Sequence, residues 1–172
     1  SLFKGDKTLW SFSWIFHATL ALIFIGHVRV FTDFPALWAA LNINADNMSA
    51  TSGGIAGILV MATLILLLFR RFFVGRVREI SNLADYFALV LVLAVIITGN
   101  MMRFSGHHFD LELTRAYFSS MLTFSFSAMV VPADTIFRAH FLLVQLLFVY
   151  IPFSKILHFG GIFFTQTLVK QS

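Results

Sequence analysis

The sequence predicts an all-α membrane protein, a bundle of four transmembrane helices. Three observations predict it. Of 172 residues, 59 % are apolar and only 12 % are charged, whereas a soluble globular domain is roughly 45–50 % apolar and about a quarter charged. Four continuous apolar runs are long enough to cross a hydrocarbon layer of about 30 Å. Those runs do not alternate apolar with polar residues, which sets aside a β-barrel. Lipid cannot satisfy an open backbone, so each run is read as a helix.

The first span covers residues 10–31. The connection after it, residues 32–53, contains PALWAALNI, which reads as a short surface helix. The second span covers 54–69. A short basic loop with Arg70, Arg71, Arg76 and Arg78 leads to the third, residues 83–102. Residues 104–135 include LELTRAYFSSMLTFSF, too polar for a span and suited to an interfacial helix. The fourth span covers 136–157, interrupted at Pro152. Residues 1–172 form one domain. The chain starts at Ser1 with no signal peptide ahead of the first run, which predicts an upstream N-terminal region.

Charge gives an orientation. Lys4, Lys7, the four loop arginines, Lys155 and Lys170 lie on one side, and Arg29, Arg103, Arg115 and Arg138 on the other. The positive-inside rule then makes both termini cytoplasmic, in a cell inner membrane. The net charge of +4 is not clustered as a nucleic-acid footprint would be, so no nucleic-acid partner is expected. The absence of cysteine excludes disulfides, iron–sulfur ligation by this chain and covalently attached c-type haem.

The chemistry lies in the histidines. His17 and His27 are on span one, His140 and His158 on span four, and His107 and His108 in the second outer connection. Ionisable residues inside a membrane are costly and mark function. Ten residues separate the first pair, about 15 Å of helix, and eighteen separate the second, about 27 Å. Spans one and four run in opposite directions. The depth-matched pairs are therefore His27 with His140 and His17 with His158. Each pair is read as the axial ligands of one haem iron, by neutral imidazole. The rises differ by about 12 Å, and the break at Pro152 is one means of absorbing that. Two such haems would make an electron path across the membrane. His107 and His108 read as solvated, and Met101 and Met102 as packing residues. Arg70, Arg71 and Arg138 are candidate partners of haem propionates. At the outer end Gly26, Arg29 and Asp33 make a candidate quinone site, with Asp46 nearby. A histidine-lined proton channel or transporter is the alternative from another class, and a cofactor-free membrane anchor a third.

At these residues the sequence resembles the gamma subunit of respiratory nitrate reductase, a dihaem cytochrome b family. The segment FHATLALIFIGHVRVF, residues 16–31, is similar to that family's FH…GH helix. FRAHFLLVQLLFVYIPFSKILHFGG, residues 137–161, is similar to its last helix, and RRFFVGRVREISNLADYF, residues 70–87, to its cytoplasmic loop. ADYFALVLVLAVIITGNMMRF and IPFSKILHFGGIFF resemble the branch of membrane cytochromes b found in sulfite-reduction-associated (Dsr) complexes. The resemblance implies two haem b per chain, ligated by His17, His27, His140 and His158, and menaquinone as substrate. It implies an electron-transfer subunit in dissimilatory sulfur metabolism, with no catalytic residue of its own beyond the quinone site. Implied partners are membrane lipid, a cytoplasmic iron–sulfur subunit related to heterodisulfide reductase, a periplasmic multihaem cytochrome c and other membrane subunits. The nitrate reductase gamma subunit itself is the nearer alternative. Residues 32–53 contain no lysine, whereas nitrate reductase members carry one at the quinol site.

Overall fold

The computed structural model describes residues 7–79, 81–105 and 110–154. Within them the chain is helical and has no strand. The order is α1 (Lys7–His27), α2 (Pro35–Ala40), α3 (Ala45–Phe73), α4 (Gly75–Glu79), α5 (Leu83–Phe104), α6 (Leu111–Leu122) and α7 (Thr135–Tyr150). Single 3-10 turns extend α1 through Val30 and α7 through Phe153. With those turns, α1, α3, α5 and α7 are each long and apolar enough to cross a membrane.

The helix starts follow side-chain capping. Asn44 accepts from the Asn47 amide at the start of α3, Asp110 from Leu113 at α6, and Asp134 from Phe137 at α7. Asn82 and Asp85 form a reciprocal capping box at α5. The Asn44 cap explains why α3 begins well before residue 54. Its first turns are largely polar, yet the Asn47 amide is met by the Asn44 side chain and the Met48 amide by the Asn44 carbonyl. Pro152 stops α7 as expected, because it has no N–H to continue the ladder. The basic connection also forms the short helix α4, which its charges did not foretell.

The four long helices pack in series: α1 on α3, α3 on α5, and α5 on α7. Among the described residues α1 and α7 are not one of the main packed pairs. α3 is the most buried, and its Val60 and Leu64 are fully enclosed. With Ile96 of α5 they make the core, against Phe16, Leu20 and Ile23 of α1 and Leu89, Val92 and Leu93 of α5. Threonines inside the bundle return their hydroxyls to their own helix: Thr19 to the Ile15 carbonyl and Thr63 to Leu59. That leaves no hydroxyl unmet in an apolar setting. The outward faces present Trp14, Phe24, Leu142 and Val149, as a lipid-facing surface requires.

Polar clasps join the ends. At one end Arg71 pairs with Asp85, the Tyr86 hydroxyl donates to the Arg71 carbonyl, and the Tyr150 hydroxyl to that of Ala84. At the other end Arg103 of α5 donates to the Ser49 and Ala50 carbonyls of α3. α6 bridges α1 and α7 there: Phe118 meets Phe31 at a centroid distance of 5.3 Å and Phe141 at 5.4 Å. α6 is the helix expected within residues 104–135.

Candidate functional site

His27 ends α1 and His140 lies in the second turn of α7, on two helices that are not one of the main packed pairs among the described residues. Their rings face one another with centroids 6.3 Å apart and planes 17° from parallel. That separation lies within the range of offset-stacked rings. It also matches the spacing two imidazoles would have with one metal between their nitrogens. Two bonds of about 2 Å, plus about 1 Å from each nitrogen to its ring centre, sum to about 6 Å.

The tautomers are fixed. His27 Nδ1 lies 2.7 Å from the Ile23 carbonyl and His17 Nδ1 2.7 Å from that of Ser13. A carbonyl only accepts, so each Nδ1 carries its hydrogen, which in a neutral imidazole leaves the lone pair on Nε2. His140 Nδ1 lies 3.1 Å from the Val95 carbonyl and 2.9 Å from the Thr98 hydroxyl. A donor bond from the second nitrogen is the usual support of a ligating histidine. Among the described residues no three His, Cys, Asp or Glu converge on a metal position. A bis-histidine haem asks the protein for only two ligands, since the macrocycle supplies the other four. The residues present therefore fit that group.

His17 is exposed on α1, ten residues before His27. Its expected partner His158, with His107 and His108, lies outside the described residues. Gly26 is open: a Cβ there would meet nothing within 4 Å. Arg29 donates to Asp33 and Asp46, each at 2.9 Å, and to the Ala45 carbonyl. Arg115 of α6 donates to the Arg29 carbonyl and to Asp33. Trp38 of α2 donates its indole N–H to Asp33 at 2.8 Å. The hydrogen bond from Arg29, then that from Trp38, holds the Asp33 carboxyl down at about 2. Arg29, Asp33, Asp46 and Arg115, with Asp110, Leu111 and Glu112, line a cleft of about 330 Å³. Of the candidate propionate partners, Arg70 and Arg71 sit at the far end of α3, Arg71 on Asp85. Arg138 is exposed two residues before His140 and donates to the Pro132 carbonyl.

The sequence reading missed Thr98, Gly99 and Arg115. The only signal was the TGN triplet, residues 98–100, a polar and flexible step inside an apolar run.

The model of the nitrate reductase gamma subunit family matches residues 1–168. The chain is 39 % identical over 170 residues to the Hdr-like menaquinol oxidoreductase cytochrome b-like subunit of Archaeoglobus fulgidus, covering 95 % of this chain and 51 % of that protein. It is 30 % identical to the same subunit of Archaeoglobus profundus, covering 94 % and 49 %. It therefore spans about half the length of these relatives. It is also 31 % identical to the respiratory nitrate reductase 1 gamma chain of Escherichia coli, covering 86 % and 69 %. The four apolar spans, the facing histidines and a match along almost the whole length lead to one conclusion: the chain is a membrane protein and belongs to the nitrate reductase gamma subunit family.

Proposed function

We propose that this chain is the dihaem cytochrome b module of a menaquinol-oxidising membrane complex in dissimilatory sulfur metabolism. It takes electrons from menaquinol at the His27 end and delivers them at the far end to a cytoplasmic iron–sulfur subunit related to heterodisulfide reductase. A periplasmic multihaem cytochrome c and further membrane subunits complete the complex. The observation that carries this reading is the facing pair His27 and His140 at 6.3 Å. The two Archaeoglobus relatives, described as subunits of a menaquinol oxidoreductase, support the choice of quinol.

Haem b held by two histidines supplies reversible one-electron transfer without ligand exchange. His27 and His140 would hold the first, and His17 with His158 the second. Arg70, Arg71 and Arg138 are the proposed propionate partners. At the quinol site Gly26 leaves room for a ring to approach His27. Arg29 is the proposed quinol-positioning residue, and among the described residues its buried Nε has no hydrogen-bond partner. Asp33 stays ionised between Arg29, Arg115 and Trp38, so it orients Arg29 rather than accepting a quinol proton. Glu112, on the same cleft, is placed to accept one. Eight basic residues against four put the Arg71 end in the cytoplasm and the quinol end outside an inner membrane.

The test is the dithionite-reduced minus oxidised spectrum of the complex, with a pyridine haemochrome assay. Two protohaems per chain, reduced by menaquinol, are expected. Absence of haem would favour the proton-channel reading. A gamma-subunit role in a nitrate reductase is the second reading, supported by the Escherichia coli relative. Co-purification with a molybdenum enzyme rather than an iron–sulfur protein would decide for it.

A further inference from the structure

Three successive residues of α5 each do something different across a helix interface. The Thr98 hydroxyl lies 2.9 Å from His140 Nδ1. A Cβ on Gly99 would come within 3.3 Å of His140 Cε1. Asn100 donates its amide to the Gly57 carbonyl of α3 at 3.0 Å. The first two residues act on one imidazole and the third anchors their helix to the bundle centre.

We propose that Thr98 is a positioning residue that orients His140 and lowers the reduction potential at the His27–His140 site. This rests on the reading of those two histidines as haem ligands. The hydroxyl of Thr98 lies 2.9 Å from the Ala94 carbonyl and 3.0 Å from that of Val95. Its one hydrogen goes to a carbonyl, so its oxygen accepts from His140 Nδ1–H. The Val95 carbonyl, 3.1 Å from the same nitrogen, shares that hydrogen. Both acceptors belong to one turn of α5, so the ring is held from one side by a rigid helix. Gly99 leaves the space into which the ring settles. Withdrawing the Nδ1 hydrogen makes Nε2 a stronger donor to a metal, and a stronger donor favours the oxidised iron. Among the described residues His27 Nδ1 meets its own helix carbonyl, that of Ile23, so the control from a neighbouring helix falls on His140.

Thr98→Val keeps the shape of the side chain and removes the acceptor. In the full chain within its native membranes, redox titration of this variant is expected to raise the midpoint potential of one haem and leave the other unchanged. Its low-spin EPR signal should shift as well. Thr98→Ser, which keeps the hydroxyl, should restore both. Should the valine variant lose that haem outright while serine retains it, the positioning role also stands. Unchanged potential and EPR signal in Thr98→Val would overturn it. The ligand reading fails separately, if His140→Leu keeps its full haem content.

Discussion

The side-chain amide of Asn100 donates to the Gly57 carbonyl, and a Cβ on Gly57 would collide with the Asn100 side chain. The missing side chain and the amide are thus two halves of one contact between α3 and α5. An intramembrane hydrogen bond between helices is worth about 1 kcal/mol. Asn100→Leu is expected to lower stability by about that much, and Gly57→Ala by a similar amount through displacement of the amide. Unfolding in mixed micelles measures both. Full stability in both would show that the contact carries no energy.

The proposed ligation predicts paired losses. His27→Leu and His140→Leu should each remove the same haem, about half the total, and leave identical residual spectra. His17→Leu should remove the other. If His27 and His17 were lost together in one spectrum, the depth pairing would be wrong.

Ring orientation gives an independent check. Near-parallel axial imidazoles yield a rhombic low-spin EPR spectrum, and perpendicular ones a strongly axial spectrum. The planes of His27 and His140 lie 17° from parallel. The oxidised haem that disappears in His27→Leu should therefore be the rhombic one. A strongly axial signal from it would require a ring rotation absent from this fold.

Asp33 sets a pH window. Its folded value, held at about 2 first by Arg29, lies below the roughly 3.9 of a free aspartate. Its contribution to stability is therefore fully present above about pH 4 and is lost as pH falls through 2. Between pH 5 and 8 the quinol oxidation profile should show no ionisation from Asp33. Asp33→Asn should lose the Arg29 pair at every pH in that range, seen as a pH-independent drop in thermal stability. A wild-type acid transition already under way at pH 5 that Asp33→Asn abolishes would contradict the ion pair.

Topology can be read from one cysteine. At Gly75 in α4, where a Cβ would meet nothing within 4 Å, it should form without disturbing the fold. It should resist impermeant thiol reagents in intact cells and react after lysis. Ready labelling in intact cells would turn the proposed orientation over.

The spans were legible because each apolar run had to be a helix, and His27 with His140 because antiparallel depth arithmetic needs only sequence numbers. The start of α3 at Ala45 was hidden: ADNMSATS is largely polar, and its helicity rests on the Asn44 cap. The network around Asp33 was half visible. Arg29 lies one turn away in sequence, whereas Arg115 is 86 residues from the carbonyl it binds. Thr98 was beyond reach for the same reason, since its partner lies 42 residues on and on another helix.

The serial packing of α1, α3, α5 and α7 bears on how the protein is made. Each long helix entering the bilayer finds its partner already inserted, because that partner is its predecessor among the spans. Such a chain needs no waiting helix and no rearrangement until the end. A nascent chain halted after Phe104 should already resist protease within α3. Among the described residues, α6 and α7 reach back to the first span, Arg115 to Arg29 and His140 to His27. Closure of the bundle thus waits for α7, and a cofactor gripped by α1 and α7 would find its two ligands together only once that helix is made.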